Sequence, residues 1–241
     1  MSDDTGCTYA EVDGVWLDGL QFCARVYAMF EALHQQPDAT TRLRMRPSLF
    51  EKRLIEELLP ICRYIQTHYR TGRYISLRWL SGSQSFDAEV VQRGAYVEHY
   101  NLASNGYLEV TSAVHANDYL LRERLETQGL VYGVGGLSAT GTKRSGNREI
   151  KSEVVVHSNS DFIHTMGGIV LDSIQSKIAA GYPERTTLIV QCTLNSLYLP
   201  DDWENLVQAV HSGLPDHGFD EVWLCDADWN YSACVSTISS S

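Results

Sequence analysis

Three short segments rich in β-branched and aromatic residues, 74–80, 86–92 and 107–114, stand between longer stretches spaced for helices. That order excludes a purely helical chain and a purely β one, because each helical stretch needs a sheet face on which to bury its apolar stripe. Ser81-Gly82-Ser83-Gln84 and a loop ending at Asn105-Gly106 separate the three segments, which therefore read as an antiparallel meander. Upstream, Leu20, Cys23, Tyr27, Phe30 and Leu33 recur at three- and four-residue intervals, the period of an amphipathic helix across residues 17–35. After a break at residues 36–41, Pro47-Ser48 opens a second helix that runs to about Tyr69. Its stripe is Phe50, Leu54, Leu58, Ile61 and Ile65, and Pro60 is expected to kink it.

Downstream the pattern alternates. Residues 117–128 read as a polar helix, 162–180 as an apolar-striped helix and 187–192 as a buried strand; a helix at 202–211 and a strand at 221–225 complete the chain. The expected fold is α/β, a small mixed β-sheet flanked by helices in a single domain. Residues 1–46 are expected to form an N-terminal helical extension, 47–192 the core, 193–235 a C-terminal helix and strand, and the Ser-rich stretch 236–241 a disordered tail.

Composition narrows the setting. A chain of 241 residues with 44% hydrophobic residues can bury a sizeable core. No apolar run approaches the roughly 18 residues of a membrane span, and the Met-Ser-Asp-Asp-Thr start lacks the marks of a signal peptide, so no membrane and a cytoplasmic location are expected. Six scattered cysteines, with no CxxC pair, read as reduced thiols. The net charge of −11 opposes binding to phosphate backbones, but it is unevenly spread. Every Lys and Arg except Arg25, Lys177 and Arg185 falls between residues 42 and 151, while residues 200–241 carry acids and no Lys or Arg. The basic stretch is read either as a side that faces a polyanion or as a solvated surface that is uneven by chance.

The glycine-rich run from Gly133 to Gly141, followed by Thr142-Lys143-Arg144, is not a P-loop, because Thr142 separates the last glycine from the lysine and Arg144 takes the place of the magnesium-binding hydroxyl. It reads as a flexible basic loop.

The chemistry is expected on the second and third strands. Phe86-Asp87-Ala88-Glu89-Val90 and Tyr107-Leu108-Glu109-Val110-Thr111-Ser112-Ala113 carry acids, and strand alternation sends Glu109 and Thr111 to one face and Leu108 and Val110 to the other. Together with the order helix, three strands, helix, strand over residues 48–192, these residues resemble the restriction-endonuclease-like core of PD-(D/E)xK nucleases. The family's pattern is an Asp that opens one strand and Glu-x-Lys on the next; here Thr111 holds the lysine position. The resemblance implies that Asp87 and Glu109 bind magnesium or manganese, which polarises a phosphoryl oxygen and lowers the pKa of a bound water. Threonine supplies a hydroxyl without the charge or reach of lysine.

Two further residues enter with alternatives attached. Lys177, on the helix after the strands, is the one later lysine of the core and a candidate for the displaced basic residue; the preferred reading is an ordinary exposed helix lysine. Glu57, inside the stripe of the first core helix, is a candidate third metal ligand or simply the partner of Arg53 four residues earlier. Arg73, Arg78, Lys143 and Arg144 are the residues expected to hold a nucleic-acid backbone, DNA or RNA. The function expected is metal-dependent cleavage of nucleic-acid phosphodiesters, with a homodimer as an option for cutting two strands. The alternative is a catalytically inactive module of the same fold that binds protein or nucleic acid.

Overall fold

The structure is a computed structural model and describes residues 8–142 and 146–237. In chain order the elements are β1 (Leu17–Asp18), α1 (Gly19–His34), α2 (Ala39–Met45), α3 (Leu49–Arg53), a π-helical turn (Leu54–Leu58), α4 (Leu59–His68), β2 (Tyr74–Trp79), β3 (Ala88–Arg93), α5 (Ala95–His99) and β4 (Asn105–Ala113). They continue with α6 (Asp118–Gln128), a short 3-10 turn (Val134–Gly136), β5 (Leu137–Thr140), β6 (Glu149–Ser152), α7 (Asn159–Ile178), β7 (Thr186–Cys192), α8 (Pro200–Gly213), β8 (Glu221–Asp226) and β9 (Ser232–Thr237).

Seven strands form one mixed sheet in the order β1-β2-β3-β4-β7-β8-β9. β1 to β4 pair antiparallel, β4 pairs parallel with β7, β7 parallel with β8, and β9 closes the far edge antiparallel to β8. The burial of each strand follows from what covers it. All seven residues of β7 are buried, as a central strand with helices on both faces requires. In β2, Ile75, Leu77 and Trp79 are buried while Tyr74, Ser76 and Arg78 are not, so one face of that strand is packed and the other is partly open.

Two apolar clusters lie on opposite sides of the sheet. On one side α1 and the α3–α4 helix pack Phe22, Val26, Leu58, Ile61 and Ile65 beneath strands β1 to β4, and the cluster continues to Ile189 and Trp223. On the other side α7 and α8 pack Met166, Val170, Ile174, Leu206 and Val210 over Leu188, Val190, Val222 and Leu224. The second layer stops short of β1 to β3, where Tyr74 and Val91 are 41% exposed.

Several elements differ from the sequence reading. The N-terminal helix, expected as an extension, packs Phe22, Cys23, Val26 and Leu33 into the first core cluster. Upstream of Pro60 the helix widens into the π turn, with the Leu59 N–H bonded to the Leu54 carbonyl. Proline cannot donate within a regular helix, and the wider turn precedes the position where that donor is missing. The glycine-rich stretch forms a 3-10 turn and one strand of a separate β5–β6 hairpin. Lys143 and Arg144, expected to hold a nucleic-acid backbone, lie outside the described residues. β9 runs through Ser236 and Thr237, into the stretch expected to be a disordered tail. The five described cysteines are all free thiols. Among the described residues no helix is long and apolar enough to cross a membrane.

One buried ion pair ties the first helical layer to the far end of the sheet. Arg63 in α4 lies 3.3 Å from Asp226 Oδ1 and donates to the Tyr231 carbonyl at 2.6 Å, while the Asp226 carboxylate accepts from Tyr231 N at 2.7 Å and Asn230 N at 3.2 Å. Removing the acid leaves a buried guanidinium uncompensated. Asp226→Ala is expected to lower unfolding free energy by about 3–5 kcal/mol, measured by urea denaturation.

Candidate functional site

Asp87 lies one residue before β3. Its N–H donates to the Leu108 carbonyl at 2.9 Å, and its Oδ2 accepts from Val110 N at 2.7 Å, which holds the carboxylate against the middle of β4. Leu108 and Val110 point into the first core cluster, so alternation sends Glu109 and Thr111 to the opposite face, where α7 runs. Glu109 is buried, and Lys177, in the last turn of α7, meets it with Nζ 2.5 Å from Oε1. The Tyr182 hydroxyl, from the α7–β7 connection, donates to the same oxygen at 3.3 Å. The end of α7 and the turn that follows it thus reach one carboxylate 68 and 73 residues upstream.

The reading of Lys177 as an ordinary exposed helix lysine does not fit this geometry. Its side chain is 27% exposed and its ammonium is committed to Glu109. Burial works against its charge, yet the hydrogen bond and attraction to Glu109, with help from Tyr182 and Asp87, hold its pKa above the ordinary lysine value. Thr111 is partly buried and sits in register with Val190 of β7, so on this face it is Lys177, not residue 111, that brings positive charge to Glu109.

Asp87 responds to the same surroundings in the opposite sense. Burial, then the neighbouring Glu109 carboxylate and Glu57, raise its pKa to about 7 against the stabilising Val110 N–H and Lys177. Glu57, on the π turn, is also pushed above the ordinary carboxylate range, by burial first and then by Glu109 and Glu56, with Arg53 opposing. Arg53 Nε lies 3.9 Å from Glu57 Oε1, so the helix pairing expected from the spacing is present. Glu57 still belongs to the electrostatic neighbourhood of Asp87 and Glu109. The Trp79 indole N–H favours its charged form without completing a hydrogen bond of full geometry, and remains a buried donor with no partner.

A hard divalent cation is held by converging carboxylate oxygens. Among the described residues no three of His, Cys, Asp and Glu converge in a ligand cluster. Among the described residues Asp87 Oδ1 and Glu109 Oε2 nevertheless carry no hydrogen bond, and two carboxylates suffice for magnesium, which keeps several waters and takes substrate phosphate as further ligands. The raised pKa of Asp87 marks a negative centre that Lys177 only partly offsets. Asp87 and Glu109 thus offer the carboxylate oxygens such an ion takes, and Glu57 adds negative charge to the same neighbourhood.

The basic residues expected to hold nucleic acid are not gathered here. Arg78 is on the same face, but its Nε and Nη2 bind Glu89 Oε2 at 2.8 and 2.6 Å and its guanidinium lies 5.4 Å over Trp16. Arg73 stands just before β2, at the opposite end of the strands, with its Nε on Gln92 Oε1 at 2.9 Å. No sequence motif marks Tyr182, which stands between Gly181 and Pro183; the available signal is its short distance from Lys177 across a tight connection.

Comparison with known proteins found no matching family model, curated protein or solved structure.

The raised pKa of Asp87 has a definite sign in stability. Between about pH 4, the ordinary carboxyl value, and about pH 7 the folded state binds more protons at this group than the unfolded state does. Its contribution to stability is therefore lost as pH rises through that window. Asp87→Asn, which keeps an oxygen for Val110 N, is expected to raise Tm at pH 8 relative to wild type and to flatten the pH dependence from 4 to 7 in a thermal melt series.

Proposed function

We propose that the chain is a metal-dependent phosphodiester hydrolase acting on nucleic acid, with a restriction-endonuclease-like core of the PD-(D/E)xK kind. The observation that carries this reading is the meeting of Asp87, Glu109 and Lys177 on one face of the sheet. Element order supports it: the α3–α4 helix, the antiparallel strands β2, β3 and β4, then α7 and β7 parallel to β4, with the acids at the start of the second of those strands and within the third.

In this reading Asp87 and Glu109 hold magnesium or manganese, with Glu57 as the adjoining carboxylate. When bound there, the ion supplies polarisation of a phosphoryl oxygen and a more acidic water. Lys177 holds Glu109 in place and sets a positive charge where negative charge develops in phosphoryl transfer, the part the resemblance gives to a lysine at position 111. Thr111 offers a hydroxyl on the same face. Cutting both strands of a duplex would take two copies, so a homodimer belongs to the proposal.

A specific observation favours a second reading, an inactive binding module. The Lys177 ammonium closes on Glu109 and Arg78 on Glu89, so both cations nearest the carboxylates are satisfied within the protein.

Cleavage assays with labelled single- and double-stranded DNA and RNA in manganese separate the two. The hydrolase reading expects cutting by wild type and a loss of about 100-fold or more in both Asp87→Ala and Lys177→Ala. Identically purified wild type that cuts none of the substrates would sink it in favour of the binding module.

A further inference from the structure

A second feature lies away from the carboxylates, where the N-terminal ends of β4, β7 and β8 meet the loops before β2 and after β3. A cleft of about 580 Å³ opens there, lined by Arg73, Arg185, Thr187, Asp220 and Glu221. A recess of about 60 Å³, which shares both arginines and reaches Leu108, leads from it toward the core. The volume falls in the range of small-molecule sites, which run to roughly 300–1,000 Å³.

The two arginines of this cleft stand free of a carboxylate in a chain whose acids outnumber its bases by 30 to 19. Arg42, Arg44, Arg46, Arg63, Arg78 and Arg122 each close on a carboxylate. Among the described residues Arg73 and Arg185 form no ion pair, as Arg25, Arg70, Arg93 and Arg124 form none, but they alone of these line the cleft. Each is oriented instead by a neutral amide, Arg73 Nε on Gln92 Oε1 at 2.9 Å and Arg185 Nη1 on Asn105 Oδ1 at 2.8 Å. An amide oxygen aims a guanidinium without neutralising it and leaves its remaining N–H groups for an anion. Asp220 and Glu221 line the same cleft beyond ion-pair distance of either arginine, with Arg185 acting on Asp220 and Arg73 on Glu221 across it. Glu221 is engaged by the Tyr64 hydroxyl at 2.9 Å and lies 3.6 Å from His68.

Arg185 is also one of four described non-glycine residues with a positive φ, beside Arg46, Asn101 and Trp229. Its φ is +65°, a left-handed conformation that glycine adopts freely and an arginine adopts at a steric cost. Its carbonyl accepts from Tyr107 N at 3.0 Å, and a Cβ on Gly106 would come within 2.6 Å of that oxygen, so the turn is seated tightly against β4.

We propose that this cleft binds a small phosphorylated ligand of about nucleotide size. Its phosphate lies between Arg73 and Arg185, and its hydroxyl or amino groups face Asp220 and Glu221. The site is independent of the hydrolase reading and reassigns Arg73 from a nucleic-acid backbone contact to a small-molecule one.

Calorimetric titration of the full chain with adenosine 5′-monophosphate, uridine 5′-monophosphate, ribose 5-phosphate and inorganic phosphate tests this, with a chelator present so that the carboxylates on the sheet face hold no metal. Saturable binding is expected for at least one of the three organic phosphates, tighter than for inorganic phosphate. Arg73→Gln and Arg185→Gly should each weaken it at least tenfold. Arg185→Gly relieves the backbone strain, so its melting temperature should equal or exceed that of wild type and loss of binding cannot be blamed on unfolding. No binding of any probe up to millimolar concentration, inorganic phosphate binding as tightly as the organic phosphates, or unchanged affinity in Arg185→Gly would each overturn the proposal.

Discussion

The pairing of β4 with β7 is the contact on which the rest of the molecule depends. β4 is antiparallel to β3 on one side and parallel to β7 on the other, with seven residue pairs in register from Tyr107–Thr186 to Ala113–Cys192. A parallel neighbour cannot be reached by a tight turn, so the chain must cross over the sheet before it returns. That crossover contains α6, the β5–β6 hairpin and α7, and it lays α7 on the face opposite α1 and α4. The same long connection delivers Lys177 and then Tyr182 to Glu109. Sheet topology and the convergence of charged groups are therefore one arrangement.

Opposing effects are balanced around those groups. Burial alone would disfavour charge on every one of them, yet Lys177 keeps its proton strongly while Asp87 gains affinity for one. The difference lies in partners: Lys177 meets a carboxylate directly, whereas Asp87 meets two other acids and a single backbone N–H in close contact. An excess of negative charge collects at a sheet face covered by α7 on one side and partly open over β2 and β3 on the other.

Much of this frame was legible in the amino-acid order. The three β segments, the helices on either side of them and the alternation that sends Glu109 and Thr111 away from Leu108 and Val110 are local patterns, visible wherever period 2 gives way to period 3.6. What escaped was non-local. Lys177 resembles any polar residue near a helix end until β4 is known to pass beneath it, and Arg78 looks free until Glu89 is placed opposite it in the β2–β3 register. β1 has only two residues, and β9 has just Ala233-Cys234-Val235 between Ser and Thr, too short an apolar run to mark a strand without the neighbour that offers hydrogen bonds. The π turn answers a proline at a position where regular geometry would otherwise break.

The side-chain order along β4 has a consequence of its own. Glu109 is flanked by Leu108 and Val110, and a slip of one residue against β3 or β7 would exchange the faces of all three. The carboxylate would then sit among Leu58, Ile61 and Ile189, far from any ammonium, at a cost of several kcal/mol. A charged residue at mid-strand thus acts as an alignment pin: the group best placed for chemistry is also the one that makes the wrong strand pairing unaffordable while the sheet assembles.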